Sequence, residues 1–349
     1  MAMNELPFVT IGIPCLNEEK FIEQVVRRVL DMDYPEDRME VLVADGGSTD
    51  RTLEILAALE REDPRLRTIA NPGKIQAAGM NEILRVFRGD VLIRLDAHAD
   101  YASDYIRRCV EVLTETGADN VGGAARALAN NWFQRALCAA LDSPLGVGGS
   151  KYRDADNEGF VESVFNGAFR REVFERAGMY DPGAITNEDA ELNQRILEDG
   201  GKIFLSRKIV AYYYPRDSYR SLARQYFKYG KGRARTLLKH RGLPSIRPLV
   251  PFGFVVGGTA LLLSGRKRLT AAALGAYALG TGVEALRVGR KVAWWGPGVV
   301  WTLFPVLHVA HGLGMAAGLV HYSREPDWND PEHLEPRQAA AGSRKRVES

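Results

Sequence analysis

Val91-Leu92-Ile93-Arg94-Leu95-Asp96-Ala97-His98-Ala99-Asp100 is the stretch on which the reading of this chain turns. Residues 91–95 predict a short buried strand, and an acid, an imidazole and a second acid follow it at every other position. In extended backbone, residues two apart point the same way, so Asp96 and His98 are expected on one side of the chain. Such a pair at a strand's C-terminal end can hold a divalent cation against a diphosphate. Hard oxygen ligands suit Mg²⁺ or Mn²⁺, and the imidazole favours the transition metal of the two. Taken alone, an acid-rich strand end is weak evidence.

Upstream, residues 8–13 are a β-rich run followed by Pro14-Cys15-Leu16-Asn17. Asn17 is placed to cap a helix whose apolar residues recur at Phe21, Ile22, Val25, Val26, Val29 and Leu30. Residues 41–44 form a second apolar run that ends at Asp45-Gly46-Gly47-Ser48; residues 52–59 then read as a helix, with Ser48 or Asp50 as its N-cap. A third strand is expected at 66–70 and a helix at 75–87, leading into the strand at 91–95. This alternation predicts an α/β fold with a mostly parallel sheet covered on both faces. Right-handed crossovers bring the strands' C-terminal ends to one edge, where open α/β sheets bind ligands. Asn17-Glu18, Asp45 and Asp96 fall at that edge by sequence position alone. Residues 121–181 are less regular and are expected to carry mobile, acceptor-facing loops; a helix at 188–197, a strand at 202–210 and a basic, aromatic-rich helix at 219–239 follow.

A chain of 349 residues holds one domain of about 230–250 residues and an appendage. The net charge of +2 gives no sign of a nucleic-acid binder. The basic residues concentrate locally, however. Between Arg216 and Arg247 the only acid is Asp217, and this belt adjoins an apolar region, which suits an anionic membrane surface or a phosphate-bearing substrate; a solvated helix face is the plainer reading. Residues 249–264, 269–283 and 294–322 are apolar. The third is long enough to cross about 30 Å of hydrocarbon and the first two are marginal. Gly257-Gly258, Gly275, Gly280, Gly312, Gly314 and Gly318 suit close helix approach in lipid. Arg266-Lys267-Arg268 and residues 287–291 put positive charge in successive loops, so the positive-inside rule conflicts with itself unless a segment is re-entrant or interfacial. Cys15, Cys109 and Cys138 are scattered, which argues against disulfides and structural zinc. The first residues lack a basic, then apolar, secretory pattern. The expectation is a cytoplasmic catalytic domain at 1–245, a membrane-associated helical region at 246–322 and a disordered polar tail at 323–349.

Three further motifs accompany the strand end. Val43-Ala44-Asp45-Gly46-Gly47-Ser48-Thr49-Asp50 places an acid at the end of a second strand, where it can accept from a base N–H or ribose hydroxyls, or simply make the turn. Thr186-Asn187-Glu188-Asp189 opens a helix, a position also explained by capping. Gln225-Tyr226-Phe227-Lys228-Tyr229 lies on the basic helix, where inward-packed aromatics are the ordinary explanation. Lys74, in the Pro72-Gly73-Lys74 turn, could reach a phosphate or be an exposed structural lysine.

In order and spacing these pieces resemble the family 2 glycosyltransferases, the inverting group with a GT-A fold, over roughly residues 8–230. Residues 43–52 look like the family's D-G-G-S-T-D-G-T, with Arg51 in place of the last glycine. Asp96-Ala97-His98 sits where the family has D-x-D, and Glu188-Asp189 matches its E-D dipeptide. Gln225-Tyr226-Phe227-Lys228-Tyr229 resembles Q-x-x-R-W, and residues 166–174 resemble the stretch preceding E-D. The D-A-H-A form with a glycine-rich apolar region looks most like the succinoglycan-type exopolysaccharide glycosyltransferases.

The resemblance implies a nucleotide-sugar donor, with uridine as the base. It implies donor contacts from Pro14, Asn17, Glu18, Asp45, Lys74 and Asp96, and a Mg²⁺ or Mn²⁺ ion on Asp96 and His98. Asp189 would be the catalytic base, with Glu188 beside it. Gln225, Lys228 and Tyr229 would meet the acceptor or product, a saccharide or lipid-linked species at the cell membrane. Two departures stand out. His98 replaces an acid, so it could instead donate to phosphate, with Asp100 as a spare ligand. Lys228-Tyr229 replaces Arg-Trp, keeping the charge but losing the planar fork. A dehydrogenase would need G-x-G-x-x-G after the first strand, and Gly12-Ile13-Pro14-Cys15 does not supply it. The altered D-x-D leaves a second reading, a non-catalytic membrane-bound scaffold on a decayed transferase fold.

Overall fold

The computed structural model describes residues 6–243 and 245–324. Its strands are β1 (Val9–Cys15), β2 (Met39–Asp45), β3 (Leu66–Ala70), β4 (Val91–Arg94), β5 (Ala99–Tyr101), β6 (Asn120–Gly123), β7 (Ala125–Ala127), β8 (Gly159–Phe160), β9 (Phe165–Arg170), β10 (Ile203–Leu205) and β11 (Ala211–Tyr213). Its α-helices are α1 (Ile22–Leu30), α2 (Thr52–Glu62), α3 (Gln76–Val86), α4 (Tyr105–Thr116), α5 (Trp132–Leu141), α6 (Pro144–Val147), α7 (Arg171–Arg176), α8 (Glu188–Glu198), α9 (Tyr219–His240), α10 (Leu249–Leu263), α11 (Lys267–Gly289) and α12 (Gly296–Tyr322).

The described residues group into two compact units, one holding residues 6–123 and 158–209, the other residues 124–157 and those from 210 to 324. This partition cuts the chain differently from the division expected at residue 245.

The first unit is built on one sheet of order β3-β2-β1-β4-β9-β6-β10-β8. Strands β3, β2, β1 and β4 are parallel neighbours. Every residue of β1, β2 and β4 is buried, which is why they read as near-continuous apolar runs. β9 lies antiparallel between β4 and β6, and β8 antiparallel to β10, so the sheet is mixed at this side. Helix α3 approaches β1 closely because glycines leave room. A Cβ on Gly12 would lie 3.2 Å from Ile83, and one on Gly79 would lie 2.9 Å from the Asn71 amide and 3.1 Å from Pro14. That contact sets the α3 N-terminus beside the C-terminal ends of β1 and β2.

The second unit is helical, with a parallel β7–β11 pair. Phe133 and Leu137 of α5, Leu222 and Tyr226 of α9, Ala285 and Val288 of α11, and Val300, Leu303, Phe304 and Leu307 of α12 form its buried core. Three of the glycines expected at helix contacts serve that purpose. A Cβ at Gly314 would lie 2.0 Å from the Phe227 carbonyl, one at Gly318 would lie 2.7 Å from Ala234, and one at Gly312 would lie 2.4 Å from the Pro251 carbonyl. Gly257, Gly258, Gly275 and Gly280 have nothing within 4 Å of such a Cβ.

Several expectations need correction. The strand expected at 202–210 is two: β10 ends at a turn in which the Ile209 N–H donates to the Ser206 carbonyl, and β11 belongs to the other pair. The irregular stretch holds β6 to β9 and α5 to α7; its strands are too short for periodicity to reveal, whereas the ten-residue α5 is no shorter than α1 and was simply not read from the sequence. Asn17 does not cap α1, whose N-cap is Phe21, and the N-cap position of α2 is Arg51 rather than Ser48 or Asp50, although Asp50 Oδ1 accepts from the Thr52 N–H that opens the helix. The polar side chains are spent on tying two loops together, as described below. Of the tail expected at 323–349, all but Ser323 and Arg324 lies outside the described residues.

Substituting Gly314 by alanine should cost about 1–3 kcal/mol through overpacking against α9. Gly257→Ala should be neutral or gain up to about 1 kcal/mol of helix propensity. Thermal unfolding midpoints of the purified variants distinguish the two sites.

Candidate active site

The β1–α1 and β2–α2 loops are laced by reciprocal hydrogen bonds. The Asn17 N–H donates to Ser48 Oγ at 2.8 Å, and Asn17 Oδ1 accepts from the Thr49 N–H at 2.8 Å. The Glu18 N–H donates to Thr52 Oγ1 at 2.8 Å, and the Arg51 N–H donates to Glu19 Oε2 at 3.1 Å. Asn17 adopts a left-handed conformation (φ 57°), which an asparagine tolerates and which turns its amide onto the neighbouring loop. Asp45 is 4% exposed. Its Oδ2 accepts from the N–H groups of Gly47 (2.8 Å) and Ser48 (2.9 Å), and its Oδ1 accepts from Ser48 Oγ at 2.5 Å. The carboxylate therefore holds its own turn: Oδ2 is filled by two N–H donors, and beside Ser48 Oγ the second position on Oδ1 faces the Cys15 thiol at 3.7 Å, so a ligand has only the place of that weak donor. Pro14 stands beside Ala44 in the β1–β2 register. Lys74 closes a tight turn with φ 59°; its N–H donates to the Asn71 carbonyl, and a Cβ on Gly46 would lie 3.4 Å from the Lys74 Cα. Lys74 thus stands beside the Asp45 turn.

The end of β4 is organised by Arg94, which sequence reasoning did not single out. Its side chain is 8% exposed, with Nη1 3.0 Å from Glu188 Oε1 and Nη2 3.5 Å from Asp96 Oδ1. One guanidinium thus joins the Asp96 position to the start of α8. Asp96 Oδ1 also accepts from Gln76 Nε2 at 3.2 Å, and the Asp96 N–H donates to Tyr101 OH at 2.7 Å. Tyr101 OH accepts in turn from Asn166 Nδ2 at 2.7 Å. Gln76 and Tyr101 were likewise missed, an amide at the first helical position of α3 being the signal for Gln76; Asn166 opens the 166–174 stretch singled out above, though without a role at Asp96.

His98 is 54% exposed at its side chain and points Nδ1 at Glu18 Oε1, 3.1 Å away. Asp100 pairs with Arg28. Among the described residues no group of three or more His, Cys, Asp or Glu side chains is arranged to hold a metal. Protein ligands here would number two, with substrate oxygens completing the shell, a common arrangement for Mg²⁺ beside phosphates.

Asp189 is half-buried in the first turn of α8, behind Asn187 in left-handed conformation (φ 63°). Its Oδ1 accepts from the Ala190 N–H at 2.7 Å at the start of the helix. Asp189 lines a small cavity with Arg94, Asn120, Asn166, Tyr180 and Asn193. Glu188 is buried, and burial pushes its carboxyl up to about 7, against the pull of Arg94 and with help from the Asp189 charge. In the second unit, Gln225 Nε2 donates to Tyr229 OH at 3.0 Å on α9, one turn apart, and Lys228 is exposed.

An open α/β sheet whose strand-end acids meet the acidic start of a later helix is the frame of a GT-A glycosyltransferase. The Glycosyl transferase family 2 model matches residues 10–178, and the chain belongs to that family. It is 37% identical over 319 residues to the succinoglycan biosynthesis protein ExoA of Rhizobium meliloti (strain 1021), covering 90% of this chain and 96% of that one. It is 28% identical over 266 residues, 74% of this chain and 82% of the other, to a dolichyl N-acetyl-α-D-glucosaminyl phosphate 3-β-D-2,3-diacetamido-2,3-dideoxy-β-D-glucuronosyltransferase of Methanococcus voltae. Among solved structures, the mannosyltransferase PcManGT of Pyrobaculum calidifontis, in complex with GDP-Man and Mn²⁺, matches with TM-score 0.60 at 21% identity, over 88% of this chain and 87% of that one. The chain is a glycosyltransferase of exopolysaccharide or glycan synthesis.

Arg94→Met should destabilise the protein by about 3–5 kcal/mol, because it strands the Glu188 carboxyl in the interior. Adding Glu188→Gln should restore part of that loss, giving a favourable coupling energy. Denaturant midpoints of the wild type, the two single variants and the double variant measure it.

Proposed function

We propose that this glycosyltransferase moves a sugar from a nucleoside-diphosphate donor, UDP in the first instance, to a saccharide or lipid-linked acceptor by single displacement with inversion. The observation that carries the reading is the Arg94 bridge: within one unit it ties the strand-end acid Asp96 to the Glu188-Asp189 helix start. Asp189 is the general base. It needs only to come within about 3 Å of the acceptor hydroxyl when both substrates are bound. Glu188 sits behind it, its carboxyl turned to Arg94 rather than to an acceptor. No enzyme nucleophile is required in a single displacement.

Donor binding falls to the laced loops. Asn17, Glu18 and Asp45 orient the nucleotide, Pro14 lies beneath it, and Lys74 reaches toward phosphate. Asp96, Glu188 and Asp189 outnumber the one buried guanidinium, and that excess of negative charge fits a divalent cation. Asp96 and His98 would hold it, with Glu18 against the imidazole, and it would supply charge neutralisation for the leaving diphosphate. Imidazole among the ligands favours Mn²⁺ over Mg²⁺. Gln225, Lys228 and Tyr229 are assigned to the acceptor or product. The apolar helices of the second unit bring the enzyme to the cell membrane, where lipid-linked acceptors lie, with the catalytic residues on the cytoplasmic side. GDP-Man in PcManGT and UDP in the Staphylococcus aureus TarS complex, a match of TM-score 0.50 at 13% identity, mark the two donor bases a screen must include.

Asp189→Asn should lower transfer by about 10²–10⁴-fold while leaving donor binding by calorimetry intact. An asparagine variant as active as wild type would place the base elsewhere, and a wild type that binds no nucleotide sugar across the panel would favour the scaffold reading. Donor affinity should rise with Mn²⁺ more than with Mg²⁺, and His98→Ala should remove that preference.

A further inference from the structure

By length and composition α11 and α12 could each cross a membrane. The neighbours of α12 argue against its doing so. Helix α9 runs beside it in the same direction. Tyr219 OH meets Thr302 Oγ1 at 2.5 Å near the start of both, and a Cβ at Gly230 would lie 2.0 Å from the His311 carbonyl. Further along, Gly318 meets Ala234 and Lys231, and Lys231 Nζ stands 5.3 Å from the centre of the Tyr322 ring. Over this shared length α9 carries Arg220, Arg224 and Lys228 exposed, and Lys231, Arg233 and Arg235 half-buried, with no acid in the helix. If α12 crossed about 30 Å of hydrocarbon, these cations would be carried through it at the same depth. If the two helices lie along the surface, the cations face anionic headgroups. Val309, Leu313 and Val320 of α12, exposed along one stripe, can then sink to the acyl boundary.

The hairpin of α10 and α11 is different. It meets α12 at its base: Tyr277 OH bonds His308 Nδ1 at 2.8 Å, Trp301 Nε1 donates to the Ala278 carbonyl at 3.2 Å, and Gly312 sits against Pro251 and Val255. Beyond that base, Leu262 is 63% exposed, Leu263 83%, Leu269 51% and Leu274 54%. Eighteen uncharged residues lie between Arg247 and Arg266, about 27 Å if wholly helical.

We propose that this unit enters an anionic bilayer through the α10–α11 hairpin, and that α12 lies along the membrane surface beside α9 without crossing. The proposal rests on the membrane reading above and specifies which element enters. Both ends of α12 then stay on one side, while the exposed Arg266, Lys267 and Arg268 at the hairpin tip reach the opposite headgroups, so the positive charge of residues 266–268 and 287–291 still falls on two sides.

Full-length protein carrying Cys138→Ala and a single new cysteine, Lys291→Cys or Ser323→Cys, tests it in right-side-out and inverted membrane vesicles with a membrane-impermeant maleimide. Both positions should label from the same face, and that face only. Labelling of the two from opposite faces would overturn the proposal while leaving membrane binding intact. A fluorophore on Leu263→Cys should be quenched by nitroxide lipids in phosphatidylglycerol vesicles. No quenching in protein that co-floats with the vesicles would also overturn it, as would lipid-independent shielding of Leu263 in a dimer. Failure of the protein to co-float at all would instead remove the membrane reading itself.

Discussion

One buried guanidinium sets the terms for the catalytic unit. Arg94 leaves the end of β4 with 8% of its side chain exposed and meets Glu188 at 3.0 Å and Asp96 at 3.5 Å. A cation so deeply placed is tolerable only with carboxylates around it, and breaking such a set leaves an uncompensated charge in the interior. The constraint works in both directions. It requires β4 to end where the sheet opens, and it requires the loop before α8 to return to that edge. Segments separated by more than ninety residues of sequence are thereby held in register at the place where the chemistry is proposed.

The two loops ahead of Asp96 are fixed by another device. Asn17, Ser48, Asp50 and Thr52 exchange hydrogen bonds between loop backbones and side chains, and Asp45 takes three donors from its own turn. A polar floor of this kind is assembled before any ligand arrives, so little ordering is left to be done on binding. The second unit has its own constraint, the near contact of α9 with α12 through glycines. A basic helix held against the longest apolar one restricts how that apolar helix can meet lipid.

Much of this was legible in the sequence. The third strand at 66–70 agrees residue for residue with β3, and the other early strands and helices differ at their ends by a few residues, because continuous apolar runs and helical periodicity are local signals. The order and spacing of the D-A-H and E-D motifs pointed to the family. Arg94 was not legible, because a cation inside a strand gives no hint that two acids, one at residue 188, will enclose it. Gln76 and Tyr101 escaped for the same reason: their meaning lies in contacts with Asp96, made across the sheet edge. Asn17 and Ser48 were misread as caps because polar residues before a helix usually serve that end, whereas here they bond each other; Asp50 does accept from the first N–H of α2, that of Thr52, while also taking the Glu19 N–H. The strands of the irregular stretch failed on length, since two to six residues carry too few positions for alternation to show.

The central claim is that the acids gathered by Arg94 surround the diphosphate of a nucleotide sugar. Anomalous diffraction at the manganese edge, from crystals grown with donor and Mn²⁺, addresses it directly. The account predicts one strong peak within about 2.3 Å of an Asp96 oxygen and of the donor diphosphate, with the Asp189 carboxylate facing the anomeric carbon. A nucleotide bound away from the end of β4, with manganese absent from Asp96, would contradict it.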